Sequence, residues 1–127
     1  MAQTYDASRW GAIHITGLGL VSHAVTADTC IARFAMFVAG KVIDVFAINH
    51  NGAGTHATNG YTIKKATTSI GTIACGSGAD SAVGAIEAGT LTDTDFAITE
   101  VLNIHNIRSE SNLQGFVYVV WQEKFAG

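Results

Sequence analysis

Apolar residues along this chain fall into short runs separated by clusters of Gly, Asn, Asp, Ser and Thr, without the sustained three- and four-residue spacing of an amphipathic helix. The pattern predicts strands over 10–16, 30–38, 41–49, 61–65, 70–75, 83–88, 96–105 and 116–125. Within 96–105, the positions Phe96, Ile98, Glu100, Leu102 and Ile104 set a mostly apolar face against Ala97, Thr99, Val101, Asn103 and His105, the period-two pattern of a half-buried strand. Two other runs do not alternate. Residues 41–48 are apolar on both faces beyond Lys41, apart from Asp44, and Phe116-Val117-Tyr118-Val119-Val120-Trp121 is β-branched or aromatic throughout. A strand of that kind meets protein on both faces, in a domain interior or at a subunit contact. Phe116, Tyr118, Val119 and Trp121, together with Trp10, are therefore the candidate interface residues.

The tracts 49–56 and 76–80 are rich in residues that tolerate positive φ and bond to their own backbone, and they read as loops. Segment 79–88 supports two readings: a strand or irregular structure, or a short Ala-rich helix capped by Asp80 or Ser81 and ended by Gly89. Many short strands without a long helix or a repeat predict an all-β fold: a single-domain antiparallel β-sandwich, jelly-roll-like, with about eight strands. The domain is expected over 12–127, after an N-terminal arm over 1–11.

Composition sharpens this picture. A chain of 127 residues is the size of one domain, and the absence of proline leaves its 14 glycines to supply the turns. It is 48% hydrophobic and only 13% charged, where a typical soluble domain carries ~25% charged residues. So little charge implies that part of the exterior is hidden against copies of the chain or another protein. The net charge of −3, with no basic block, gives no support to nucleic-acid binding. The most apolar stretches, 30–39 and 116–121, fall well short of the ~20 residues of a membrane-spanning helix. The N-terminus lacks the basic-then-apolar pattern of a secretory signal, so export by that route is not expected. Cys30 and Cys75 are too few for a disulfide scaffold and lack zinc-ligand spacing; they read as ordinary small apolar residues.

Candidate chemistry is thin. Among His14, His23, His50, His56 and His105 no pair has a strong metal-ligand spacing; His50 and His56, flanking a glycine-rich loop, are the pair to test, and no metal or other cofactor is expected. Asp93-Thr94-Asp95 reads as a turn entering a strand rather than a calcium site. Neither Gly17-Leu18-Gly19 nor Gly76-Ser77-Gly78 completes a nucleotide-binding motif. Glu87, Glu100, Glu110 and Glu123 are scattered, with nothing to pair them as catalytic carboxylates.

Two resemblances remain. Ile15-Thr16-Gly17-Leu18-Gly19-Leu20-Val21-Ser22 and Ala74-Cys75-Gly76-Ser77-Gly78-Ala79 resemble short stretches of β-ketoacyl synthases, in which Cys75 would be the nucleophile attacking an acyl thioester. That fold is several times longer, its histidine loop follows the cysteine, and its lysine motif has no counterpart here, so no catalytic residue is expected. Across residues 12–125 the layout is similar to the small β-sandwich cement or decoration proteins of tailed bacteriophages. The likeness runs through Val42-Ile43-Asp44-Val45-Phe46-Ala47-Ile48-Asn49 with its following glycine loop, Tyr61-Thr62-Ile63-Lys64-Lys65, the Thr/Ser/Gly-rich 67–75, the turn Gly89-Thr90-Leu91-Thr92, and the strands Val101-Leu102-Asn103-Ile104-His105 and 115–121. It implies a structural part without enzymatic activity, made in the host cytoplasm and placed on the capsid surface of a virion, with the major capsid protein and copies of itself as partners. The alternative from another class is a carbohydrate- or receptor-binding β-sandwich of a fibre or tail, with Trp10, Tyr61 or Trp121 as stacking platforms.

Overall fold

The structure, a computed structural model, describes residues 10–51, 59–76, 82–92, 95–109 and 113–124. These form nine strands and, among the described residues, no helix: β1 (Trp10–Ser22), β2 (Cys30–Ala35), β3 (Gly40–Asn51), β4 (Gly60–Lys65), β5 (Thr68–Ala74), β6 (Ile86–Leu91), β7 (Asp95–Phe96), β8 (Val101–Asn106) and β9 (Gln114–Lys124). All pairings are antiparallel. The expected all-β antiparallel single domain is therefore present. Its strands follow the order β1-β9-β3-β6-β5-β4-β8-β2, with β7 attached to β3.

The hydrogen bonding is continuous from one half of this sheet to the other because β6 serves both. Its first residues pair with β3 (Ile86↔Ile48, Glu87↔Ala47, Ala88↔Phe46) and its last with β5 (Gly89↔Ile73, Thr90↔Thr72, Leu91↔Gly71). Gly89 stands at the changeover, where a Cβ would collide with Val45 and would lie 3.0 Å from Ile73. The sheet thus curls nearly into a barrel, with the edge strands β1 and β2 brought close together.

The inner face is the core. Val42, Val45, Ala47, Val117 and Val119 from one half meet Ile63, Ile70, Ile73, Leu102 and Ile104 from the other, all fully buried. At one end, Trp121 packs among Phe34, Phe96 and His14. At the other end the interior turns polar, with buried His23, Asn49, Asn59 and Asn106 around Tyr61 and Cys75. Asn106 ties the β1–β2 connection to the barrel: its Oδ1 accepts from the Ala24 amide at 3.3 Å, and its Nδ2 donates to the carbonyls of Thr26 at 3.0 Å and Arg108 at 2.7 Å.

Three expected elements differ. The first strand begins at Trp10 as expected but runs on to Ser22, because Gly19, at φ 77°, is absorbed as a bulge instead of ending it. The single strand expected over 96–105 is broken into β7 and β8 by a turn in which Thr99 adopts φ 68° and the Glu100 amide donates to the Ala97 carbonyl. Ile98, placed inward by the alternation, is consequently exposed. Over 79–88 the described residues follow the strand-or-irregular reading and not the helical one, but the strand starts at Ile86 instead of residue 83: residues 82–85 turn, with Gly84 at φ 81°, while 77–81 lie outside the described residues.

Candidate functional site: two unlike outer faces

Because the register fixes which side chains share a face, the exterior can be read row by row. On the half made of β2, β8, β4 and β5, the outward rows join Arg33, Asn103 and Lys64, and then His105, Thr62 and Thr72, which continues to Thr90 on β6. This surface is polar and solvated. Lys64 Nζ bonds the Asp28 carboxylate at 2.9 and 3.1 Å, and His105 Nδ1 lies 3.2 Å from the same carboxylate. Lys64 first, and then His105, hold the Asp28 carboxyl below its ordinary value. A shallow depression at one margin is lined by Lys65, Thr68, Glu100 and Asn103, and its charged groups are already engaged: Lys65 Nζ donates to the Asp95 carbonyl at 2.6 Å and sits 3.7 Å from Glu100 Oε2.

The half made of β1, β9, β3 and β6 is built differently. Its outward rows read Ile15, Val120, Asp44; then Gly17, Tyr118, Phe46, Ala88; then Leu20, Phe116, Ile48, Ile86. Apart from Asp44, the charged and amide side chains stand at the margins, with Gln122 and Lys41 beyond one end and Ser22, Gln114 and Asn51 beyond the other. The Phe46 and Tyr118 rings stack with centroids 4.9 Å apart at 13°, and His50 sets its edge to Phe116 at 5.6 Å. Ile13 is 61% exposed, Ile15 66% and Ile86 70%. A β-sheet face with one side in water ordinarily alternates apolar-in with polar-out, as the opposite half does. Here the outer side of four adjacent strands is apolar apart from Asp44, forming one contiguous apolar patch of the kind that marks an interaction site.

Two local irregularities build this face. Ahead of the bulge at Gly19, even-numbered residues of β1 point inward (Thr16, Leu18); beyond it Leu20 points out and Val21 enters the core. A one-residue slip of this kind exchanges the faces of everything that follows. In β3 a second irregularity between Val42 and Asp44 leaves Ile43 and Asp44 both exposed, with Asp44 Oδ1 accepting from the Val45 amide at 2.8 Å.

Of the candidate interface residues, Phe116 and Tyr118 lie on the outer apolar face. Val119 is completely buried in the protomer, so of the two roles open to it, core or contact, it takes the core. Trp121 also turns inward, one ring face covered by His14 at 4.4 Å and its Nε1 donating to Thr16 Oγ1 at 3.0 Å. Trp10 opens β1 opposite Lys124. Tyr61, one of the expected stacking platforms, is wholly buried. Sequence reasoning missed Ile13, Ile15, Leu20 and Ile86, whose runs looked like ordinary strands; only their placement beside β9 and β3 makes them one surface.

The remaining chemistry is muted. Cys75 is buried, its amide donating to the Asn59 carbonyl at 2.7 Å, and burial first, then the neighbouring Glu87 carboxylate, pushes its thiol up to about 12. A thiol in that state is protonated at neutral pH, the opposite of an activated nucleophile. His50 packs on Phe116, and His56 lies outside the described residues. Among the described residues no three His, Cys, Asp or Glu side chains gather as metal ligands, and no helix is long and apolar enough to cross a membrane.

The chain matches no protein-family model, and neither the curated proteins nor the solved structures contain a significant match to it.

Proposed function

We propose that this protein is a structural assembly component that works by burying the outer face of its β1-β9-β3-β6 half, in the manner of the capsid cement and decoration proteins to which its sequence layout is similar. The contrast between its two outer faces carries the proposal. The Thr-, Asn- and Lys-bearing half shows that this sequence encodes a solvated sheet where one is wanted, whereas the other half presents isoleucine and aromatic side chains over four strands. Burial of apolar surface gains about 25 cal/mol per Å², and many copies on a lattice multiply a modest contact into a strong one. On this reading the partners are a major capsid protein and other copies of the chain, the site of action is the virion surface, and no catalytic group or cofactor is needed.

Mass analysis of particles purified from the producing culture tests it. The protein should be present at a level comparable to the shell subunit. A few copies per particle would shift the role to a tail or fibre part, and absence from every particle would refute it.

A further inference from the structure

We infer that the occupant of the apolar face is a second copy of the same face, so that two chains pair sheet on sheet about a two-fold axis. This rests on the reading of that face as an assembly surface and names what covers it. Three observations carry it. The first is size. Three strands at ~4.8 Å spacing span about 14 Å and Ile13 to Leu20 at ~3.3 Å per residue about 23 Å, and β6 adds a fourth strand only over Ile86 to Ala88, giving about 380 Å² in projection and on the order of 500 Å² once side-chain relief is followed. Two such faces together bury on the order of 1,000 Å², the least that a specific protein pair needs.

The second is chemistry. Between its polar margins the face carries one charged group, the Asp44 carboxylate, so a charged or strongly polar partner has almost nothing to pair with there. What it requires is an apolar sheet surface of equal extent, which another copy supplies. The third is shape. The central row runs small, large, large, small: Gly17, Tyr118, Phe46, Ala88. Tyr118 closes on the space over Gly17, where a Cβ would lie 3.0 Å from its Cε1. With Tyr118 filling the space over Gly17, the stacked rings form a ridge flanked by one low point, at the small, exposed Ala88, and a two-fold axis sets the ridge of each copy against that low point of the other, the self-complementarity an isologous contact needs.

Sedimentation of the whole chain tests the pairing, with Ile15→Lys and Ile86→Lys on the apolar face and Thr72→Lys on the opposite one as control. Circular dichroism and melting curves establish that each variant is folded. The wild type and Thr72→Lys should sediment as dimers and the two apolar-face variants as folded monomers. A wild type that stays monomeric at the highest soluble concentration, or an Ile15→Lys protein that remains dimeric, overturns the pairing. If the wild type is monomeric and Ile15→Lys nevertheless abolishes incorporation into particles, self-pairing fails while the assembly role of the face stands.

Discussion

Tyr118 and Val119 are neighbours in sequence with opposite destinies, because successive residues of a strand point to opposite sides of the sheet. Val119 is enclosed by the core, and Tyr118 stacks on Phe46 at the surface. Val119→Asp should abolish folding, since an unpaired buried carboxylate costs several kcal/mol. Tyr118→Asp should cost about 1–2 kcal/mol, mainly the lost aromatic contact, and leave a folded chain that no longer associates. Urea denaturation read beside sedimentation separates the two outcomes; comparable destabilisation by both changes would place Tyr118 in the core and remove it from the surface. The run 116–121 made it legible in sequence that both faces of this strand are apolar. Which residue served which face was not legible, because two apolar sides give no phase to the alternation.

Among the elements, β3, β4, β5 and β9 stand close to where the apolar runs placed them, since each is dense in β-branched or aromatic residues and bounded by Gly, Asn or Thr. The misread elements share one cause: conformation and composition disagree there. Gly17 and Gly19 look like a turn yet lie within β1, whereas the break after β7 rests on Thr99, a β-branched residue at positive φ that gives no glycine signal. The joint role of β6 was equally hidden, although Gly89 marks it. Gly89→Ala should destabilise the protein by about 1–3 kcal/mol, because its methyl group would press on Val45 with Ile73 close behind and force the corner open. Urea unfolding measures this, with Gly84→Ala as a comparison: a Cβ at Gly84 meets nothing within 4 Å, so its cost comes from its φ of 81° alone. Equal stability of Gly89→Ala and wild type would show that β6 is not a tight corner.

At the scale of the whole molecule, the interior is apolar at one end and polar at the other, which gives stability a pH dependence on the alkaline side. Burial lifts the Cys75 thiol from its ordinary 9.0 to about 12, with Glu87 adding to it, and burial also pushes the Tyr61 phenol up from 10.0. Both groups are held neutral in the folded chain and ionise more readily once it unfolds. The thiol's contribution is complete below pH 9 and is lost as pH rises from 9 towards 12, by about 1.4 kcal/mol per pH unit, and the phenol's loss begins above pH 10. The urea midpoint should therefore fall above pH 9, and fall less steeply in Cys75→Ala; an identical slope in that variant would show that the thiol is not responsible.

The largest feature of the molecule is also the one that no local pattern announces. Low charge led to the expectation of a hidden surface, and the lateral order β1-β9-β3-β6, made by pairings between residues as far apart in sequence as Trp10 and Lys124, gathers the apolar surface on one side. Carbene footprinting of the chain, in its native assembled state and after dilution to protomers, tests that assignment most directly. Ile13, Ile15, Tyr118 and Ile86 should be shielded in the assembly and labelled in the protomer, while Arg33, Thr72 and His105 should be labelled equally in both. Equal labelling of the apolar face in the two states, or shielding confined to the polar half, would contradict it.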